Sequence, residues 1–149
     1  MNEKLRLMIV DDNPHARKAL AALISMQGWA TVVIEASNGK DALQKIESQT
    51  PDMVLMDVQM PVMDGLQATG IIKNRWPQIK VIVLTIYDEY RSQAYQAGAD
   101  AFLIKGCPTE KMMSSIQGLL QENNVSIIVC STSNGGISTN CVIPAHQID

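Results

Sequence analysis

Five short apolar runs punctuate the chain at fairly even intervals: LRLMIV at 5–10, ATVVI at 30–34, MVLM at 53–56, KVIVL at 80–84 and AFLI at 101–104. Three are nearly unbroken and rich in β-branched residues, the pattern of parallel strands buried on both faces. The stretches between them carry helix start and stop signals. Asn13 caps the first helix with Pro14 at its first position, Ala16, Leu20, Leu23 and Ile24 form an inward stripe, and Gly28 ends it. A second helix opens near Asn38 and buries Ala42, Leu43 and Ile46 before Pro51. A third follows Asp64-Gly65 and stops before Pro77, with Gly70 weakening it by about 1 kcal/mol relative to Ala. The fourth is short, roughly 89–97, and Gly98 closes it. Pro108 starts the fifth, where Met112, Met113, Ile116, Leu119 and Leu120 share one face.

Strands alternating with helices in this way predict an α/β fold: a doubly wound parallel sheet with right-handed crossovers and helices on both faces. Ligands of such sheets bind beyond the carboxyl ends of the strands. The first strand delivers Asp11-Asp12 to that edge, the third Asp57, the fourth Thr85 and the fifth Lys105. Singly, each has an ordinary explanation, because the residue after a buried strand re-enters water and is usually polar. Together they do not, since two unit charges about 5 Å apart at an effective dielectric near 20 repel by about 3 kcal/mol. Three crowded carboxylates require a cation. An all-oxygen donor set without a His or Cys pair favours a hard divalent ion, and few protein ligands favour Mg²⁺ with retained waters. A metal, the Lys105 ammonium and the Thr85 hydroxyl around one carboxylate form a receptor for a phosphoryl group.

The order and spacing of Asp11-Asp12, Asp57 with Met60-Pro61-Val62-Met63-Asp64-Gly65, Thr85 and Lys105 resembles the receiver domain of two-component response regulators, over roughly residues 5–122. Leu84-Thr85-Ile86-Tyr87-Asp88 and Pro108-Thr109-Glu110 are similar in texture to the NarL/FixJ type. The resemblance implies a flavodoxin-like sheet of strand order 2-1-3-4-5. It implies Asp57 as phosphoacceptor from a sensor histidine kinase. Asp12, Asp57 and the Gln59 carbonyl would be direct Mg²⁺ ligands, with Asp11 acting mainly through metal-bound water. Thr85 and Lys105 would hold the phosphoryl oxygens, and Phe102 would be the switch aromatic that moves inward with Thr85. Gln59 and Tyr87 would border the path of the hydrolytic water and tune the lifetime of the phosphorylated state, Tyr87 by covering it. Two local departures follow: Phe102 lacks the hydroxyl of the Tyr often found there, and Gly106 replaces a Pro common in a cis peptide, so that loop is expected to be built differently.

Composition narrows the partners. Lys and Arg number 12 against 15 Asp and Glu, a net charge of −3, so the chain as a whole has no basic field for nucleic acid. Apolar residues make up 46% and charged ones 18%, which supports a core. No apolar run approaches the roughly 18 residues of a membrane span, and the first residues are too short an apolar stretch for a signal peptide, so a cytoplasmic place is expected. Cys107, Cys130 and Cys141 lack metal or disulfide spacing and read as reduced thiols. His15 reads as exposed, Met53 and Met56 as core, Met60 and Met63 as loop packing. Tyr87, Tyr90 and Tyr95 mark a candidate partner surface on the fourth helix, and a homodimer through the fourth-to-fifth-helix face is the expectation.

Residues 1–122 thus form the expected receiver, and 123–149 a polar tail with one β-prone run at 125–130 and no Lys or Arg. The tail is read as a mobile extension, with an added edge strand or an exchanged segment as the minor alternative, and no DNA binding is assigned to this chain. Two other function classes compete. A phosphatase of the haloacid-dehalogenase type shares the nucleophilic carboxylate, but wants a second Asp where Gln59 stands and a cap domain the length does not hold. A pseudo-receiver that only binds partners would have lost an acid, the Thr or the Lys. The leading expectation is a phosphorylation-controlled, non-enzymatic signalling switch.

Overall fold

The computed structural model describes residues 4–122. Two compact units divide the chain after Cys107. The first holds a five-stranded parallel sheet: β1 (Leu5–Val10), β2 (Ala30–Ala36), β3 (Met53–Met56), β4 (Lys80–Thr85) and β5 (Ala101–Ile104), in spatial order β2-β1-β3-β4-β5. Between the strands run α1 (Pro14–Ser25), α2 (Gly39–Ser48), α3 (Gly65–Arg75) and α4 (Arg91–Gln96). The described part of the second unit is α5 (Thr109–Glu122). Its apolar positions keep a one-sided helical spacing, and the Pro108 carbonyl accepts from the backbone N–H groups of Lys111 and Met112. No helix among the described residues is long and apolar enough to cross a membrane.

Alternation along each strand sorts the sheet residues between two faces. Met8, Val10, Ile34, Val54, Met56, Val81, Val83 and Phe102 join Ala42 and Ile46 of α2, Ala68 and Ile72 of α3, and Ala94 of α4 in one buried cluster. On the other face α1 packs against β1 and β2, and its Leu20 lies with Ile9, Leu55 and Leu84. Met53 and Met56 are fully buried, whereas Met60 and Met63 pack against the cluster from the loop after β3.

Register makes the carboxyl edge a built surface. Val10 pairs with Met56, Met56 with Val83, and Val83 with Phe102, one row across four strands. Asp11 and Asp57 are the next residues beyond that row. Thr85 pairs with Ile104, and Lys105 follows directly.

The helix caps fall where the polar punctuation places them. Asn13 accepts from the N–H groups of His15 and Ala16, Asn38 from Asp41, and Asp64 from Gln67. Elsewhere the boundaries differ from expectation. Along α1 the stripe is graded: Ile24 is buried and Ala16, Leu20 and Leu23 are half-buried. That helix ends at Ser25, with Gly28 at φ +80° inside the following turn and not at the cap. β2 runs two residues past Ile34, because Glu35 takes an outward position and Ala36 pairs with Val10. The fourth helical stretch opens as a 3-10 turn, Asp88–Tyr90, with no side-chain cap.

Candidate functional site

The three acids meet. Asp11, Asp12 and Asp57 each offer a carboxylate oxygen within 4.8 Å of the others. Asp12 is exposed, but the Asp11 and Asp57 side chains are only 8% and 11% exposed. Thr85 is 1% exposed and is the last residue of β4. The ordinary explanation, a polar residue returning to water after a strand, therefore fails for Asp11 and Thr85. His15, by contrast, lies exposed on α1.

One ammonium serves the cluster. Lys105 Nζ donates to Asp11 Oδ2 at 2.8 Å and pairs with Asp57 Oδ2 at 3.2 Å. The remaining oxygens are held from the backbone: Asn13 N–H donates to Asp11 Oδ1 (2.9 Å) and Val58 N–H to Asp57 Oδ1 (2.8 Å). Burial pushes the Asp57 carboxyl above its usual range, Lys105 opposes that rise, and the charge on Asp11 adds to it. For Lys105, burial works to lower the pKa, yet the hydrogen bond to Asp11 and the charge of Asp57 outweigh it and the net direction is upward. One ammonium paired with two of three neighbouring carboxylates leaves the site short of positive charge. The donors are hard oxygens converging from two strand ends, which fits a small divalent ion with part of its water shell retained.

The loops that carry these groups are closely fitted. A Cβ on Gly65 would come within 1.8 Å of the Asp57 carbonyl oxygen, so only glycine lets α3 start there. Gly39 N–H donates to the Met63 carbonyl at 3.0 Å, and a Cβ on Gly39 would meet Met63 and Ala68 inside 3.0 Å. Between these two fixed points Val62 sits at φ +70°, a left-handed conformation costly for a β-branched residue, and is 77% exposed. Arg17 adds a further brace: its Nη1 donates to the Asp11 carbonyl (2.6 Å) and its Nε to Glu35 (3.2 Å). After Lys105, whose N–H donates to the Thr85 carbonyl, the chain turns through Gly106 at φ +90°, and the described residues contain no cis peptide.

The groups expected to switch or to tune have partners that the sequence does not announce. Thr85 Oγ1 accepts from the Tyr87 N–H at 3.4 Å. Phe102 already lies inside the core, 5% exposed, with the Arg91 guanidinium 4.8 Å above its ring and that guanidinium in turn paired with Asp88. Gln59 does not project freely: its Nε2 donates to the Tyr90 hydroxyl at 3.1 Å. Tyr87 is 38% exposed and meets Tyr90 edge to face, with ring centroids 6.0 Å apart. Tyr90, Arg17, Arg91 and Gly39 were not predicted at the site. The sequence groups Tyr90 with Tyr87 and Tyr95, which reads as a candidate partner surface and not as part of the site.

Comparison with known proteins agrees with this geometry. A family model described as the response regulator receiver domain matches residues 7–117. The positive alginate biosynthesis regulatory protein of Pseudomonas aeruginosa is 36% identical over 83% of the chain, which covers 50% of that regulator. The chain spans about half the length of the curated relatives it matches first. Among solved structures, a LuxR-family two-component response regulator from Aurantimonas superposes with a TM-score of 0.75 at 28% identity, over 79% of this chain and 86% of that one. The response regulator protein TrrA of Thermotoga maritima, solved in complex with Mg²⁺-BeF, gives a TM-score of 0.70 at 32% identity over 77% and 98%. With three acids, a threonine and a lysine gathered at one sheet edge and a family match running nearly from the first strand to the fifth helix, the chain belongs to the response regulator receiver domain family of two-component systems.

Proposed function

We propose that Asp57 accepts one phosphoryl group from a phosphohistidine of a sensor histidine kinase, and that the phosphorylated domain presents an altered partner-binding surface. The observation that carries this reading is the shared ammonium: Lys105 spans Asp11 and Asp57 at hydrogen-bonding distance while a third carboxylate stands beside them. An Asp57 oxygen forms the new P–O bond as the P–N bond breaks. The histidine nitrogen keeps the electron pair and takes up a proton. No base is needed for a carboxylate nucleophile. Lys105, freed of part of its pairing when Asp57 is esterified, turns its ammonium to the incoming phosphoryl oxygens. The Thr85 hydroxyl, which now accepts from Tyr87, has its own proton to donate to them.

Asp11, Asp12, Asp57 and the Gln59 carbonyl are the residues proposed to hold Mg²⁺, which would neutralise charge on the transferred group. The Mg²⁺-BeF complex of the Thermotoga relative supports that choice of ion. Residues 1–122 are proposed as the whole receiver, supported by the family match over 7–117 and by α5 reaching Glu122. The 123–149 tail lies outside the described residues. A non-enzymatic role, a cytoplasmic place and self-association on the α4 side, where Tyr95 is exposed, belong to the same proposal.

Intact-mass spectrometry tests it directly. With a small acyl phosphate and Mg²⁺ the chain is expected to gain one phosphoryl increment, and Asp57→Asn to gain none. An equal gain in Asp57→Asn would reject the assignment.

A further inference from the structure

Gln59 and Tyr87 leave the carboxyl ends of β3 and β4, which are paired neighbours, so the two connections run side by side. A single residue touches both. Tyr90 takes the Gln59 amide on its hydroxyl and the Tyr87 ring against its own. The three differ in how firmly they are held. Gln59 and Tyr87 are exposed, whereas Tyr90 is half-buried and packs against the core cluster beside α4. Tyr90 is therefore the anchor, and the other two are what it anchors. A phenol both donates and accepts, so the bond to Gln59 holds whichever amide atom faces it.

We propose that Tyr90 is a positioning residue that sets the lifetime of phosphorylated Asp57 by holding the Gln59 amide away from the hydrolytic water. This rests on the reading of Asp57 as phosphoacceptor. In hydrolysis a water oxygen forms a bond to phosphorus opposite the Asp57 oxygen, the P–O bond to Asp57 breaks, and the carboxylate is restored. The water's protons pass to phosphate and solvent. A side-chain amide two residues from Asp57 can align that water through a hydrogen bond, and alignment is where such a group gains its rate. With the amide fixed on the Tyr90 hydroxyl, its orientation is already taken. Releasing it turns an inert residue into an assisting one. The sign is therefore specific: loss of one hydroxyl accelerates decay, and only while Gln59 is present.

The test uses the full chain, phosphorylated with a small acyl phosphate and Mg²⁺, then followed by intact mass after donor removal at constant Mg²⁺. Tyr90→Phe keeps the ring and removes the hydroxyl. Its phosphorylated form is expected to decay about threefold faster or more, the scale of one released hydrogen bond. Gln59→Ala and the double variant Tyr90→Phe, Gln59→Ala are expected to decay at the same rate as each other, because there is no amide left to release. A simple packing role for Tyr90 would accelerate decay equally in both backgrounds. Unchanged or slower decay in Tyr90→Phe, or a full effect in the Gln59→Ala background, overturns the proposal. Failure of the unaltered chain to gain mass appears before any decay is measured and removes the Asp57 reading together with it.

Discussion

The sheet holds a lysine–aspartate pair at each end, and the two are built to opposite ends of satisfaction. At the amino edge Lys73 Nζ donates to Asp100 Oδ2 (2.9 Å) and to the carbonyls of Pro77 (3.1 Å) and Ile79 (2.8 Å), three acceptors for three protons. The same Asp100 oxygen accepts from the Val81 N–H at 2.8 Å, so the loops before β4 and β5 are tied together. Charge there is balanced one to one, and all three lysine protons are taken up by the protein. At the carboxyl edge one ammonium is spread over two carboxylates with a third nearby. A pair that is complete has nothing left to bind, whereas one that is short of cation is a receptor. Burial of a charged pair is thus poor evidence of function, and imbalance of charge is better evidence.

Breaking each pair separates the two roles. Lys73→Met leaves Asp100 buried without its partner and is expected to lose about 3 kcal/mol in urea unfolding, with no recovery on adding Mg²⁺. Lys105→Met is expected to lose stability too, but to regain most of it with Mg²⁺, because a divalent ion can replace the missing charge between Asp11 and Asp57. Equal behaviour of the two variants towards Mg²⁺ would collapse the distinction.

A smaller effect follows from the raised Asp57 pKa. The folded state holds that proton more tightly than the unfolded chain, so ionising Asp57 works against the fold and its contribution falls as pH rises through the shifted value. Without metal, Asp57→Asn is expected to be more stable than the unaltered chain at neutral pH by about 1 kcal/mol, because the amide escapes the burial penalty of the carboxylate and the repulsion from Asp11 while losing the opposing attraction of Lys105. The gain should shrink as pH drops through the carboxylate range, as urea midpoints measured from pH 7 to pH 4 will show. The smallest change in stability is expected for exposed Asp12. Asp12→Ala should leave the melting temperature unchanged yet weaken Mg²⁺ binding about tenfold or more, on the scale seen when a metal site loses a supporting group. A Mg²⁺ titration that superposes on that of the unaltered chain would remove Asp12 from the ligand set.

The strands were legible because each is a compact apolar run, and the acids because each follows a strand directly; a parallel sheet then brings those positions to one edge without further information. The bonds between loops were not legible. Gln59 and Tyr90 are polar residues on different connections, and nothing in either position names the other. Lys73 and Asp100 read as two ordinary charges, one inside a helix and one before a strand. Gly39 follows the Asn38 N-cap, and nothing in that position reveals that contact with the Met63 loop excludes a side chain. Phe102 was expected to travel inward, and its place in the core beneath Arg91 depends on a helix whose start the sequence blurred.

The contact between Lys105 and Asp11 joins residues 94 positions apart. Closing so long a loop is among the slowest and latest steps available to a folding chain, because its entropy is lost before the contact returns anything. Until β5 docks, the acids from β1 and β3 face one another without their ammonium, and Thr85 at the end of β4 lacks its pairing with Ile104. If Asp57 is the phosphoacceptor proposed above, a nascent or partly opened chain lacks its receptor, and chemical readiness at Asp57 reports that the last strand of the sheet is in place.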